Sequence, residues 1–114
     1  MIKEITGKDI RSKSDGFYVK SGGGLLLVKA DWCGHCQRAM PELEEVSRLT
    51  GEMFPVYKLD ADKNKSAVTM LGVKGFPTIF FIEADGKIST PYNKERKTKV
   101  IIDEICSVMK KCFK

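Results

Sequence analysis

Along the chain, stretches whose apolar residues run together or alternate give way to stretches where they return every third or fourth position. That pattern predicts strands interleaved with helices. Ile2 to Thr6 fits a short strand, Gly7 to Ser14 is weakly helical or irregular, and Phe17 to Lys20 fits either type. Ser21-Gly22-Gly23-Gly24 is a turn cluster opening onto Leu25 to Ala30, a run continuous enough for a central strand covered on both faces. From Gly34 to about Thr50, the residues Ala39, Met40, Leu43, Val46 and Leu49 recur at three- and four-residue steps, so one stripe of a helix faces the sheet. Gly51 stops this helix, and Pro41 inside it removes a backbone donor and should bend the axis. Phe54 to Leu59 predicts a third strand, Asn64 to Leu71 a helix closed by Gly72, and Thr78 to Ile82 another strand. Asp85-Gly86 accepts the positive φ of a tight hairpin leading to Lys87 to Thr90. A last helix from about Thr98 to Lys111 carries Ile101, Ile105, Val108 and Cys112 on one stripe, with Lys110 and Lys111 at the negative end of its dipole. The sum is an α/β domain, a central mixed sheet of four or five strands flanked by helices.

Length and composition narrow the picture. With 114 residues, 42% hydrophobic and 31% charged, the expectation is one domain over residues 1–114 with a real core. The longest apolar runs, Leu25 to Val28 and Ile79 to Ile82, fall far short of the roughly 20 residues that cross a bilayer, so no membrane partner is expected. Lysine and arginine (20) exceed aspartate and glutamate (15), a net charge of +5. They are spread along the chain, so they read as surface solvation and no nucleic-acid partner is expected. Met1-Ile2-Lys3-Glu4-Ile5 lacks the apolar run of a secretory leader, so the expected location is cytoplasmic unless a leader precedes this numbering.

The chemistry concentrates in two of the four cysteines. Cys33 and Cys36 form a C-x-x-C pair at a strand-to-helix junction. There the first sulfur meets unpaired backbone N–H groups and the positive dipole end, while the second lies one turn further in, within reach of a disulfide. The first attacks and the second resolves. Such settings bring a thiol from about 8.5 to about 3.5 to 7.5. An imidazolium at His35 would favour the anion, stabilise the reduced form and raise the reduction potential. The competing reading is a zinc site completed by Cys106 and Cys112, but C-x5-C inside a helix sets its sulfurs on different faces about 9 Å apart in rise. Cys106 and Cys112 are therefore expected to be core-facing small hydrophobes. A haem reading fails because His35 precedes the second cysteine. No metal or organic cofactor is required. Trp32 either shields the thiols and contacts substrate or covers the sheet edge.

Trp32-Cys33-Gly34-His35-Cys36, with Pro41 and the segment Val73-Lys74-Gly75-Phe76-Pro77-Thr78, resembles the active site, bent helix and cis-proline loop of the thioredoxin superfamily. The match runs from about Ile2 to the C-terminus. Gly34-His35 is similar to the catalytic domains of protein disulfide isomerase, whereas thioredoxin proper usually carries Gly-Pro. The resemblance implies a thioredoxin fold and thiol–disulfide exchange on protein substrates, with Cys33 as nucleophile, Cys36 as resolver, His35 tuning the couple and Phe76 with Pro77 presenting main-chain groups to an extended substrate. It also implies a Lys58 near the buried cysteine and, in Tyr92-Asn93-Lys94-Glu95-Arg96, an Arg96 that swings toward it and lowers its pKa. Two positions depart from the pattern. Leu27 stands where the family usually keeps a buried acid as proton acceptor for the second cysteine, and Lys29 where it usually has an aromatic. Escape from mixed disulfides is accordingly expected to be slow. A disulfide oxidase or isomerase is the favoured reading. The alternatives are a cytosolic thioredoxin-like reductase and a non-enzymatic protein-binding module. A flavin reductase, glutathione or a sulfhydryl oxidase would be the electron partner, and a monomer is the default.

Overall fold

The computed structural model describes residues 1–20 and 22–113, so Ser21 of the expected turn cluster lies outside the described residues. In chain order the elements are β1 (Lys3–Ile5), β2 (Ile10–Lys13), β3 (Gly16–Val19), β4 (Gly24–Lys29), α1 (Gly34–Thr50), β5 (Val56–Asp60), α2 (Lys65–Met70), β6 (Thr78–Ile82), β7 (Ile88–Pro91) and α3 (Thr98–Met109), with single 3-10 turns at Gly7–Asp9 and Gly51–Met53. Five strands form a mixed sheet in the order β1-β5-β4-β6-β7. β4 runs parallel to β5 and antiparallel to β6.

The unbroken apolar run places β4 at the centre, because only a strand covered on both sides can bury every residue. Successive side chains alternate between faces. Leu25 and Leu27 join Ala39, Leu43 and Val46 of α1 and Ile101, Ile102 and Ile105 of α3 in one core. Leu26 and Val28 join Leu59, Ala67 of α2, Phe80 and Ile82 in the other. Two glycines are needed at their positions. A Cβ on Gly24 would lie 2.4 Å from the Pro55 carbonyl oxygen, where β4 starts against β5. Gly51 ends α1 at φ 59°, with its N–H returned to Ser47.

Several expectations need adjustment. Residues 10–19 form an antiparallel hairpin, β2 with β3, where the residue pattern suggests weak helix or fits either type. Arg11, Ser12 and Lys13 are all exposed, so no alternation marks the strand; Ile10 and Val19 are buried in the core and Phe17 packs against it. The hairpin is tied down by the Val19 N–H donating to the Gly86 carbonyl at 2.9 Å. Leu49 and Val108 fall outside their helical stripes and are exposed, with Thr50 and Ile102 buried in their helices instead.

The larger correction concerns the last helix. It ends at Met109, and Lys110 takes the left-handed conformation at φ 60°, which turns the chain back. The helical-rise argument that kept Cys106 and Cys112 apart therefore lapses. They form a disulfide with Cα atoms 4.3 Å apart, Cys106 half-buried and Cys112 exposed, and are not core-facing hydrophobes. Phe113 then packs against Phe54 at a ring separation of 6.3 Å.

Candidate active site

Central strand β4 delivers Ala30 to Cys33 onto the amino end of α1, and the junction is fixed by hydrogen bonds. The Cys33 N–H donates to the Ala30 carbonyl at 3.1 Å, and the Gln37 amide donates to the Asp31 carbonyl at 2.8 Å. Cys33 is itself the cap of the helix. Its Sγ accepts the Cys36 N–H at 3.2 Å, in the role that a serine or aspartate oxygen fills at ordinary helix starts. Donors aimed at the sulfur stabilise an anion there.

The two thiols are free and differently placed. Cys33 keeps 7% of its surface exposed and Cys36 only 1%, so an incoming sulfur reaches Cys33 first. The Cys33 thiol is held below the usual cysteine range, chiefly by a hydrogen bond from the Cys36 thiol, against desolvation, and further by the backbone N–H groups of Cys36 and His35 and the charge of Arg96. Burial, then the same hydrogen bond, pushes Cys36 up to about 11. The couple is thereby divided into an available nucleophile and a protonated reserve.

Around the pair, Ala30 and Phe76 close an apolar seat. The Phe76–Pro77 peptide is cis, and when protonated Cys33 Sγ donates to the Phe76 carbonyl at 3.6 Å. Trp32 is 68% exposed, so it stands over the site outside the core. It is held by donation of its Nε1–H to Asp62 at 3.1 Å and by an edge contact with Phe76 at 6.0 Å. His35 is exposed, and the Arg38 guanidinium lies 2.9 Å from its Nδ1. A guanidinium has only donors, so Nδ1 stands on the accepting side of this contact.

Not every carried-over residue joins this cluster. Lys58 is half-buried on β5 opposite Leu27, and its charge acts on Asp31. Arg96 lies exposed in the loop before α3, close enough for its charge to lower both thiols. Leu27 is fully buried between Lys58 and Ile79 in register, so hydrocarbon fills the acid's place. Lys29 bridges Asp31 at 2.6 Å and the buried Asp60 at 3.6 Å. Asp60 also accepts the N–H groups of Asp62 and Lys63, so this carboxylate is committed to holding the loop after β5. Sequence reasoning misses Arg38 and Asp62. Arg38 is visible as the i+3 neighbour of His35 on one helix face, whereas the Trp32–Asp62 contact spans 30 positions and has no local signal.

Comparison with known proteins agrees with this geometry. The family model described as Thioredoxin matches residues 18–107. Protein disulfide-isomerase A6 of Mesocricetus auratus is 35% identical over 84% of this chain and 22% of its own length. Protein disulfide isomerase-like 1-1 of Arabidopsis thaliana is 42% identical over 65% of this chain and 15% of its own. The chain thus spans about a fifth of the length of the curated relatives it matches. Among solved structures, the Trx4 domain of ERdj5 superposes with a TM-score of 0.76 at 22% identity, covering 93% of each chain, which is a likeness of fold.

Proposed function

Because the chain belongs to the thioredoxin family, we propose that it exchanges disulfides with protein substrates, leaning to oxidation and isomerisation. One observation carries the reading: Cys33 Sγ caps α1 and accepts the Cys36 N–H at 3.2 Å while Cys36 stays buried and protonated. In the reducing direction, the Cys33 thiolate attacks one sulfur of a substrate disulfide, the S–S bond breaks, and the departing substrate thiolate takes a proton from water. Cys36 then loses its proton and attacks Cys33 Sγ, closing the Cys33–Cys36 disulfide and releasing the second substrate thiolate. Two electrons pass from the domain to the substrate, and the reverse sequence oxidises a dithiol. Neither the thiolate nor the mixed disulfide of Cys33 has an S–H to donate, so in both the Phe76 carbonyl is available to pair with the substrate main chain. Proton removal from Cys36 is the slow step, since Leu27 supplies no base and ionisation is eased by a backbone hydrogen bond at Ala30 and the charge of Arg96 alone.

The names of the similar disulfide-isomerases support the oxidising and isomerising direction. A glutathione pool, a flavin reductase or a sulfhydryl oxidase would exchange electrons with the dithiol, and the domain would act as a monomer. The Cys106–Cys112 disulfide supports an oxidising compartment, because cytosolic thiols are kept reduced. The equilibrium potential against glutathione tests direction: about −180 mV supports the isomerase, about −270 mV the reductase. Cys33→Ser is expected to abolish insulin reduction and the reactivation of scrambled ribonuclease. A pure binding module would have no such activity to lose.

A further inference from the structure

We propose that the pocket at His35, walled by Arg38, Lys94, Arg96 and Lys97, receives a carboxylate of the disulfide substrate, so that the domain favours target cysteines with an acidic residue close by in their polypeptide. The inference rests on the exchange reading above and names the substrate class of that same site. The cavity measures about 340 Å³ and opens at His35, between the two cysteines in sequence. Arg38 arches back along α1, as helical side chains do. Its guanidinium reaches His35 Nδ1 at 2.9 Å and lies over Gly34, where a Cβ would come within 3.5 Å of it. From the opposite wall, the Arg96 charge acts on both thiols. The two guanidinium groups thus line one pocket with His35, next to the dithiol in sequence, and the charge of Arg96 reaches both sulfurs.

Four cations against two carboxylates line the pocket, and of the two Glu42 is committed chiefly to Thr98, with the charge of Lys97 acting on it as well. Glu42 is turned to the start of α3, accepting the Thr98 N–H and Oγ1–H, each at 2.7 Å, and those bonds hold its carboxyl below the usual range. Glu95 is the other carboxylate on the wall. Among the described residues, none of Arg38, Lys94, Arg96 and Lys97 takes part in an ion pair; the pairs are Lys3–Glu52, Lys29 with Asp31 and Asp60, and Arg48–Glu45. Across the site, Asp31 is held by Lys29 and Asp62 by Trp32. On that flank the charges of Lys29, Lys58 and Lys63 are met by Asp31, so the cations without an ion pair gather on the His35 flank. A planar carboxylate suits a guanidinium fork. Charges on an open rim act mainly on encounter and selectivity, and salt screens them.

The test uses the reduced full chain with two peptides, each holding one disulfide and differing only in whether the residues flanking one cysteine are Glu or Gln. Each rate is divided by that peptide's rate with dithiothreitol, which removes intrinsic reactivity. A Glu-over-Gln preference of about tenfold is expected at 50 mM salt, shrinking toward parity at 500 mM. In the double variant Arg38→Gln, Lys97→Gln the preference is expected to fall to about twofold or less. Parity at both salt concentrations, or an unchanged preference in the variant, overturns the proposal while leaving the exchange reading intact. Glutathione disulfide is the arm for a free small-molecule carboxylate, and a salt-sensitive gain confined to it overturns the assignment to acidic polypeptides. If neither peptide reacts faster with the chain than with its Cys33→Ser variant, the exchange reading itself fails, and this proposal with it.

Discussion

Cys33 and Cys36 lie at the amino end of α1, while Cys106 and Cys112 lie at and just beyond the carboxyl end of α3; the first pair is a buried dithiol, the second a disulfide reaching the surface. At the amino end, unpaired N–H groups aim at the sulfur and stabilise a thiolate. At the carboxyl end the backbone presents carbonyls, and the Cys106 carbonyl accepts the Lys110 N–H at 3.1 Å to close the helix. The contrast teaches that sequence spacing brings two sulfurs together, but the end of the helix they occupy decides whether they react or bind the fold.

The sharpest way to break this comparison is to titrate reactivity in the first pair. Because the thiolate alone is alkylated, a lowered Cys33 shifts its reactive fraction toward neutral pH, while Cys36 stays protonated until about pH 11. Iodoacetamide at pH 7, read residue by residue by mass spectrometry, is expected to modify Cys33 faster by a factor on the order of 100. Equal rates would mean that the helix end does not differentiate the sulfurs.

Next in size is the second pair. With a sequence separation of 6, its bridge closes a short loop. Replacing both residues, Cys106→Ser with Cys112→Ser, is expected to lower unfolding stability by about 2 kcal/mol, read in urea denaturation. Insulin reduction is expected to continue, since neither residue touches the site. Lost activity in a folded variant would show that the two pairs communicate.

The smallest effect probes what the first pair lacks. Leu27→Glu puts a carboxylate at the position opposite Lys58 and Ile79. Release of a trapped mixed disulfide is expected to accelerate roughly tenfold, because a positioned base speeds proton removal from Cys36. An unchanged release rate would show that water suffices.

Much of the fold and the dithiol is legible in the residue order. The unbroken Leu25 to Ala30 run announces a central strand, and α1 begins at Gly34 and ends at Thr50 as its pattern requires. What escapes are features with no local period. β2 is exposed along three of its four residues, so nothing in its pattern distinguishes it from a loop. Trp32 finds Asp62 across 30 positions only because β4 and β5 are neighbours in the sheet.

The amino-acid order alone determined which residues alternate, which run together, and that two thiols start a helix, because periodicity and capping act over a few neighbouring positions. Only the tertiary structure decided that Lys110 turns the chain so Cys112 meets Cys106, that Asp60 is committed to Lys29, and that Arg38 and Arg96 line one pocket from two elements. Those outcomes depend on which segments pack side by side, and packing is a property of the whole chain.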